Sequence, residues 1–330
     1  MNVIKVNDDE SLVWTEVEDP VCAAGEVLIE IHASAVNRAD LLQRAGKYPP
    51  PPGSPPWMGL EVAGVILEVG KEVDGGRWKV GDKVCALLGG GGYAEKVAVP
   101  AELLMPVPKG LTMAEAASLP EVFATAWLNL VHEAHLQSGE TAFVHAGASG
   151  VGIAALQIAK SLGARTVTSV GGSAKVELMR ELGVDRIVNH HEESVDAAFD
   201  ECLAAGQPVN VVLDCVGGEG LGTNLSKLAL DGRWVLIATL GGITTELALR
   251  AVLTRRLRLI GSTLRSRSLQ QKQQILSDLV EKLWPQFESG AIKPVVHRVV
   301  GIQDADAAHQ ILQNRENMGK VVLMIREEAS

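Results

Sequence analysis

A chain of 330 residues is too long for one ordinary domain and comfortable for two. With 47% apolar and 21% charged residues it can bury a real core as a soluble protein. The formal net charge of −10 argues against nucleic acid as the main partner, because phosphate backbones are held by clustered Lys and Arg.

Local basic clusters such as Arg255, Arg256 and Arg258 read as a solvated face or a phosphate contact. The opening MNVIKVNDDE has no apolar run and no small-residue cleavage site, so no secretory signal is read there. Cys22, Cys85, Cys202 and Cys215 are scattered without a CxxC pair. That speaks against a disulfide framework or a cysteine zinc site and fits a reducing cytoplasm.

In chain order, the first hundred or so residues read as β-rich. Residues 26–34 alternate, with Val27, Ile29 and Ile31 on one face. Strands are expected at 60–69, 82–87 and 93–99, separated by Gly and Pro. The run KYPPPPGSPP, residues 47–56, excludes helix and central strand and reads as a stiff loop covering a site.

From about residue 121, strand and helix alternate. Strands are expected at 141–146, 165–170, 185–189, 209–214, 233–238 and 257–261, with helices at 150–162 and 175–182 closed by Gly163 and Gly183. This rhythm predicts a parallel sheet covered on both faces. The nearly uncharged stretch 141–159 is long enough for a membrane span, but its central glycines favour strand, turn and helix instead. The chain closes on a strand at 295–300, a helix at 304–313 and a strand at 320–325.

The sharpest motif is HAGASGVGIAALQIA, residues 145–159, between a strand and a helix. A tight turn there lets backbone N–H groups approach a pyrophosphate at the helix N-terminus. Gly147, Ser149 and Gly152 stand at the three glycine positions of the dinucleotide fingerprint, with Gly150 and Val151 between them. Ser149 replaces the middle glycine, and its hydroxyl is able to donate to a phosphate.

At the end of the second strand, Gly171, Gly172 and Ser173 lead to Lys175, and no acid appears until Glu177. A carboxylate there selects NAD, whereas its absence beside a cation favours NADPH. Cys215, Val216 and Gly217, with Leu240 and Gly241, lie at two further strand ends where cofactor is expected.

The segments AVNRAD (35–40), QRAGKYPPPP (43–52), GLE (59–61), LPE (119–121), HAGASGVG (145–152), ALDGRWV (229–235) and MGKVV (318–322) together resemble the quinone oxidoreductase branch of the medium-chain dehydrogenase/reductase superfamily. The likeness is to zeta-crystallin-like proteins, and within them to the tumour-suppressor-inducible group.

The resemblance implies an α/β fold: a Rossmann-like doubly wound parallel sheet plus a GroES-like β-rich substrate domain. It implies a substrate domain over residues 1–120, an NADPH-binding domain over 121–289, and a return to the substrate domain over 290–330. It also implies a homodimer and a small-molecule quinone or related electrophile as substrate, with no membrane span.

Zinc-dependent relatives carry cysteine and histidine ligands where this chain has Asn37 and Leu60, so no zinc is expected. Without a Lewis acid, an already electrophilic substrate suits better than an alcohol. On the substrate side the resemblance points to Asn37, Asp40, Tyr48 and Thr125. It places Lys320 near the cofactor and His190 where relatives hold the 2′-phosphate with tyrosine. An alkene or enal reductase and a non-catalytic NADPH-binding protein stand as alternatives.

Overall fold

The structure, a computed structural model, describes residues 1–73 and 75–327. It forms two compact units: Met1–Ala124 with Arg265–Ser330, and Thr125–Leu264.

The second unit is built on six parallel strands. In spatial order they are Arg186–Asn189, Arg165–Val170, Thr141–Val144, Val211–Asp214, Arg233–Leu236 and Arg258–Gly261. The first strand in sequence lies in the middle, and the strand order reverses beside it, which is the Rossmann arrangement. All four residues of Thr141–Val144 are buried, so the strand shows no alternation.

The helix Gly150–Ser161 follows, and every residue from Gly152 to Ala159 is buried. Sequence periodicity predicts a single apolar stripe through Val151, which is instead only half-buried; the helix is covered on several sides. In a separate cluster of the same unit Phe143 stacks on Phe199 at 4.6 Å, and Trp234 is fully buried.

The first unit holds a mixed sheet around the long strand Glu26–Val36, where Val27, Ile29 and Ile31 are buried as their alternation predicts. Glu61–Val69 and Lys96–Pro100 pair with it antiparallel. So does Lys320–Met324, with Val321 opposite Val36, so residues from both ends of the chain share one sheet. Gly59 has φ +102°, and a Cβ there would lie 2.5 Å from Gly92 Cα. This close crossing needs a residue without a side chain. Residues 47–56 form neither helix nor strand.

Three features depart from the sequence reading. Residues 265–289, assigned there to the nucleotide-binding domain, cluster with the first unit. The helix Leu269–Lys282 buries Ile275, Leu276 and Leu279, Trp284 Nε1 donates to Pro106 O at 2.7 Å, and Phe287 meets Phe123 edge-on at 5.0 Å. An antiparallel pair, Asn2–Val6 with Leu12–Glu16, precedes the first expected strand. A short helix, Arg38–Arg44, follows Asn37. No helix among the described residues is long and apolar enough to cross a membrane.

Candidate functional site

In the second unit the fingerprint residues form a tight turn between the strand Thr141–Val144 and the helix Gly150–Ser161. A Cβ on Gly147 would lie 2.1 Å from Thr168 Oγ1, and one on Gly152 would lie 2.4 Å from Ala146 O. Both positions therefore require glycine. Ser149 is the helix N-cap, its Oγ accepting from Gly152 N at 3.0 Å. That bond uses an oxygen lone pair and leaves the hydroxyl hydrogen to donate elsewhere. No acid stands in the first helical turn, and Gly150 and Val151 open a twelve-residue helix whose positive end suits an anion.

At the neighbouring strand end Gly171 packs against the two histidines: a Cβ there would lie 2.9 Å from both His190 Nε2 and His191 Nε2. The two rings meet edge-on at 4.9 Å, and His190 N donates to Val170 O at 3.0 Å. Asn189 Oδ1 fixes the turn by accepting from Gly172 N at 3.1 Å and His191 N at 3.3 Å. Ser173 and Lys175 start the following helix, Ser173–Glu181. The first carboxylate after the strand, Glu177, pairs with Arg180 at 2.9 Å.

Further along, Asp214 shapes the turn through Cys215, Val216 and Gly217. Its buried carboxylate accepts from Val216 N at 2.6 Å, Gly217 N at 3.1 Å and Trp234 Nε1 at 2.9 Å. Leu240 and Gly241 run alongside, their N–H groups donating to Cys215 O at 3.2 Å and Val216 O at 2.7 Å. None of the four cysteines, all among the described residues, is in a disulfide. Thr125, 9% exposed, also belongs to this unit, and its carbonyl accepts from Asn129 Nδ2 at 2.7 Å.

In the first unit Asn37, Asp40, Glu61 and Lys320 form one buried polar network. Lys320 Nζ donates to Val36 O at 2.9 Å and Asn37 Oδ1 at 2.7 Å, and pairs with Glu61 Oε1 at 2.7 Å. Asn37 Nδ2 donates to Ala35 O at 3.2 Å and Glu61 Oε1 at 2.8 Å. The Asp40 carboxylate accepts from Asn37 N at 2.7 Å and Gly59 N at 3.0 Å. Burial raises its pKa to about 6 against those two hydrogen bonds.

The amide hydrogens of Asn37 and the three ammonium hydrogens of Lys320 are thus matched by acceptors inside this unit. The sequence reading places Asn37 on the substrate and Lys320 beside the cofactor; their polar atoms here serve each other.

Tyr48, half-buried in the proline loop, has the Arg265 guanidinium 4.7 Å from its ring centre. Arg265 also donates to Tyr48 O at 3.2 Å, Gly89 O at 2.6 Å and Gln43 Oε1 at 2.9 Å, fixing the loop. Burial, aided by the charge of Glu121, pushes the Tyr48 phenol up while Arg265 opposes it, so the hydroxyl keeps its proton at neutral pH.

Sequence reasoning does not single out Arg265, whose partners lie 176 to 222 residues away. It also gives no sign that Glu121, a lone charge within the apolar run LPEVFATAW, ties the start of its helix to Glu61 through its backbone N–H at 2.8 Å.

Known proteins agree with this geometry. Residues 23–109 match the alcohol dehydrogenase GroES-like domain family, and residues 150–282 match the zinc-binding dehydrogenase family. The quinone oxidoreductase of Mus musculus is 30% identical over 94% of this chain and 92% of its own length. The quinone oxidoreductase of Thermus thermophilus, solved also with NADPH, superimposes with TM-score 0.82 at 30% identity, covering 98% of this chain and 100% of that one. The CurK enoyl reductase superimposes with TM-score 0.83 at 30% identity, covering 98% of both chains. The chain is therefore an oxidoreductase of the medium-chain dehydrogenase/reductase superfamily and belongs among its quinone oxidoreductase-like members.

Proposed function

We propose that the chain is an NADPH-dependent quinone reductase that works without a metal. The observation that carries the reading is the network around Asn37. Where zinc-dependent relatives bring metal ligands together, this chain has the amide of Asn37, the buried hydrocarbon of Leu60, and an ammonium, Lys320, already paired with Glu61 at 2.7 Å. A fixed positive charge amid these donors repels a metal cation, and Asn and Leu are not zinc ligands. The substrate must then be electrophilic before it binds, as a quinone is. Elemental analysis finding one zinc per chain, with activity lost in chelator, would contradict this.

The cradle fits a dinucleotide. Ser149 and the N–H groups of Gly150, Val151 and Gly152 would hold the pyrophosphate. Gly171, Ser173, Lys175 and His190 would take the 2′-phosphate, which favours NADPH over NADH. Cys215, Val216, Gly217, Leu240 and Gly241 would border the riboses and nicotinamide. When bound, the reduced nicotinamide supplies a hydride. Tyr48 offers a ring for stacking and a phenolic hydrogen bond. Asn37, Asp40 and Lys320 hold the strand and helix beside that loop, and Thr125 adds a hydroxyl in the second unit.

A second reading, reduction of an activated alkene or enal, is favoured by the similarity to an enoyl reductase. A homodimer in the cytoplasm completes the proposal. The edge strand Arg258–Gly261 carries Leu259 at 44% exposure, and the preceding helix carries Leu249 and Leu253 at 73% and 78%. Such an apolar patch on a sheet edge suits a second copy.

The test is a panel of ortho-quinones, para-quinones and 2-alkenals with NADPH and with NADH. Quinone-dependent oxidation of NADPH in preference to NADH is expected. Faster turnover of alkenals favours the second reading. Tight cofactor binding without any turnover points to a non-catalytic NADPH-binding protein.

A further inference from the structure

We propose that Arg265 is a positioning residue for the reduction, one that holds the Tyr48 ring and its loop in the orientation on which the substrate stacks. The inference rests on the reductase reading above.

Residues 49–52 are four consecutive prolines and have no backbone N–H. Hydrogen bonds can fix that part of the chain only where donors from elsewhere reach its carbonyls. The far end of the loop is secured close by: Trp57 Nε1 donates to Gly91 O at 3.2 Å, and Gln43 Nε2 to Pro56 O at 3.0 Å. A Cβ on Gly91 would lie 2.8 Å from Pro55 Cγ, so the loop packs against the glycine run 89–92. At the near end the acceptor is Tyr48 O, and the donor that reaches it is Arg265 Nη1, at 3.2 Å.

The same guanidinium makes the other joints. Nε and Nη2 donate to Gly89 O at 3.0 and 2.6 Å, and Nη2 also to Gln43 Oε1 at 2.9 Å. Its carbon lies 4.7 Å from the centre of the Tyr48 ring. One planar fork thus joins the loop, the glycine run and the helix Arg38–Arg44. The fork is itself anchored, because Lys272 Nζ donates to Arg265 O at 2.9 Å. Arg265 is only 8% exposed, so these bonds, rather than water, hold its charge.

Arg265 covers one face of the Tyr48 ring, and a substrate stacking on Tyr48 takes the other. A ring held in place beforehand spares the ordering of loop and side chain when the substrate arrives. The fixed positive charge behind the ring also favours the anion left on the substrate after hydride addition. All three guanidinium nitrogens already donate to protein acceptors, so Arg265 acts through Tyr48.

Arg265→Lys keeps the charge and loses the planar fork. Melting temperature and NADPH affinity confirm that the fold and cofactor site persist. On an ortho-quinone, kcat/KM should fall about 10- to 30-fold, most of it in kcat. Tyr48→Ala removes the ring through which Arg265 acts. In that background Arg265→Lys should cost less than about twofold more, whereas an arginine that merely supports the fold would cost the same in both. Gln43→Ala removes one joint and leaves the buried charge in place, which keeps the test open should Arg265→Lys fold poorly. It should lose about three- to fivefold, again only when the Tyr48 ring is present.

Lys47, exposed and next to Tyr48, reports on the loop without any substrate. Trypsin should nick native Arg265→Lys after Lys47 several-fold faster than the wild type. An active wild type whose Arg265→Lys and Gln43→Ala variants keep their rates, or lose equally with and without the Tyr48 ring, overturns this role alone. An unchanged nicking rate does the same. A wild type inactive with every substrate overturns the reductase reading and this role together.

Discussion

Replacing Lys320 by methionine should destabilise the first unit by about 3–5 kcal/mol, the usual cost of removing one partner from a buried ion pair. The structure gives the reason. Lys320 and Glu61 side chains are 5% and 0% exposed, and their charged atoms are 2.7 Å apart. Without the ammonium, Glu61 keeps only the N–H bonds from Asn37 Nδ2 and Glu121 N, at 2.8 Å each. Val36 O and Asn37 Oδ1 each lose a donor, worth about 1 kcal/mol apiece.

Adding Glu61→Gln to Lys320→Met removes the stranded charge and should recover about 2 kcal/mol. Urea unfolding followed by tryptophan fluorescence measures all four members of the cycle, compared at constant m value. A single variant losing less than about 1 kcal/mol, or a strictly additive double variant, would refute the view that this network is one coupled unit.

Lys175→Ala should weaken NADPH by about 1.5–3 kcal/mol, one charge-assisted contact, and leave NADH almost unchanged in calorimetric titrations; equal binding of both cofactors by the wild type would count against it. Tyr48→Phe should lower kcat/KM on a quinone several-fold, about 1 kcal/mol, and Tyr48→Ala more, because the stacking ring is lost too. A thousandfold loss in Tyr48→Phe with normal NADPH binding would make the phenol an essential acid rather than a contact. Burial lowers the pKa of His309 from 6.5 to about 4, so the stability it contributes is complete above pH 6.5 and lost as pH falls through 4. By about pH 4.5 the loss should reach about 2.5 kcal/mol, and His309→Gln, which preserves a partner for Tyr93, should remove that part of the pH dependence in urea midpoints.

Much of this architecture can be read from local pattern. The alternation of Val27, Ile29 and Ile31 marks the central strand, and the apolar runs around 141 and 211, with the β-branched run at 165, mark the parallel sheet, because burial on one face or both leaves a signature in residue type. The fingerprint places the cradle for the same reason: its glycines answer to contacts within the motif or on the next strand.

What escapes the sequence is long-range. Arg265 reaches Gly89 and Gln43 across 176 and 222 residues, and Lys320 reaches Asn37 across 283. Family resemblance locates Asn37, Asp40 and Lys320 but not that they satisfy one another. Ser149 looks like an imperfect glycine in the sequence; in the fold it caps the helix.

The most direct test of the central claim is a single-turnover experiment with NADPH deuterated at the transferring position, mixed with an ortho-quinone. The account predicts quinone-dependent oxidation of NADPH with a primary isotope effect, undiminished by chelator. Bound NADPH that stays reduced in the presence of quinone, or oxidation that requires added zinc, would contradict it.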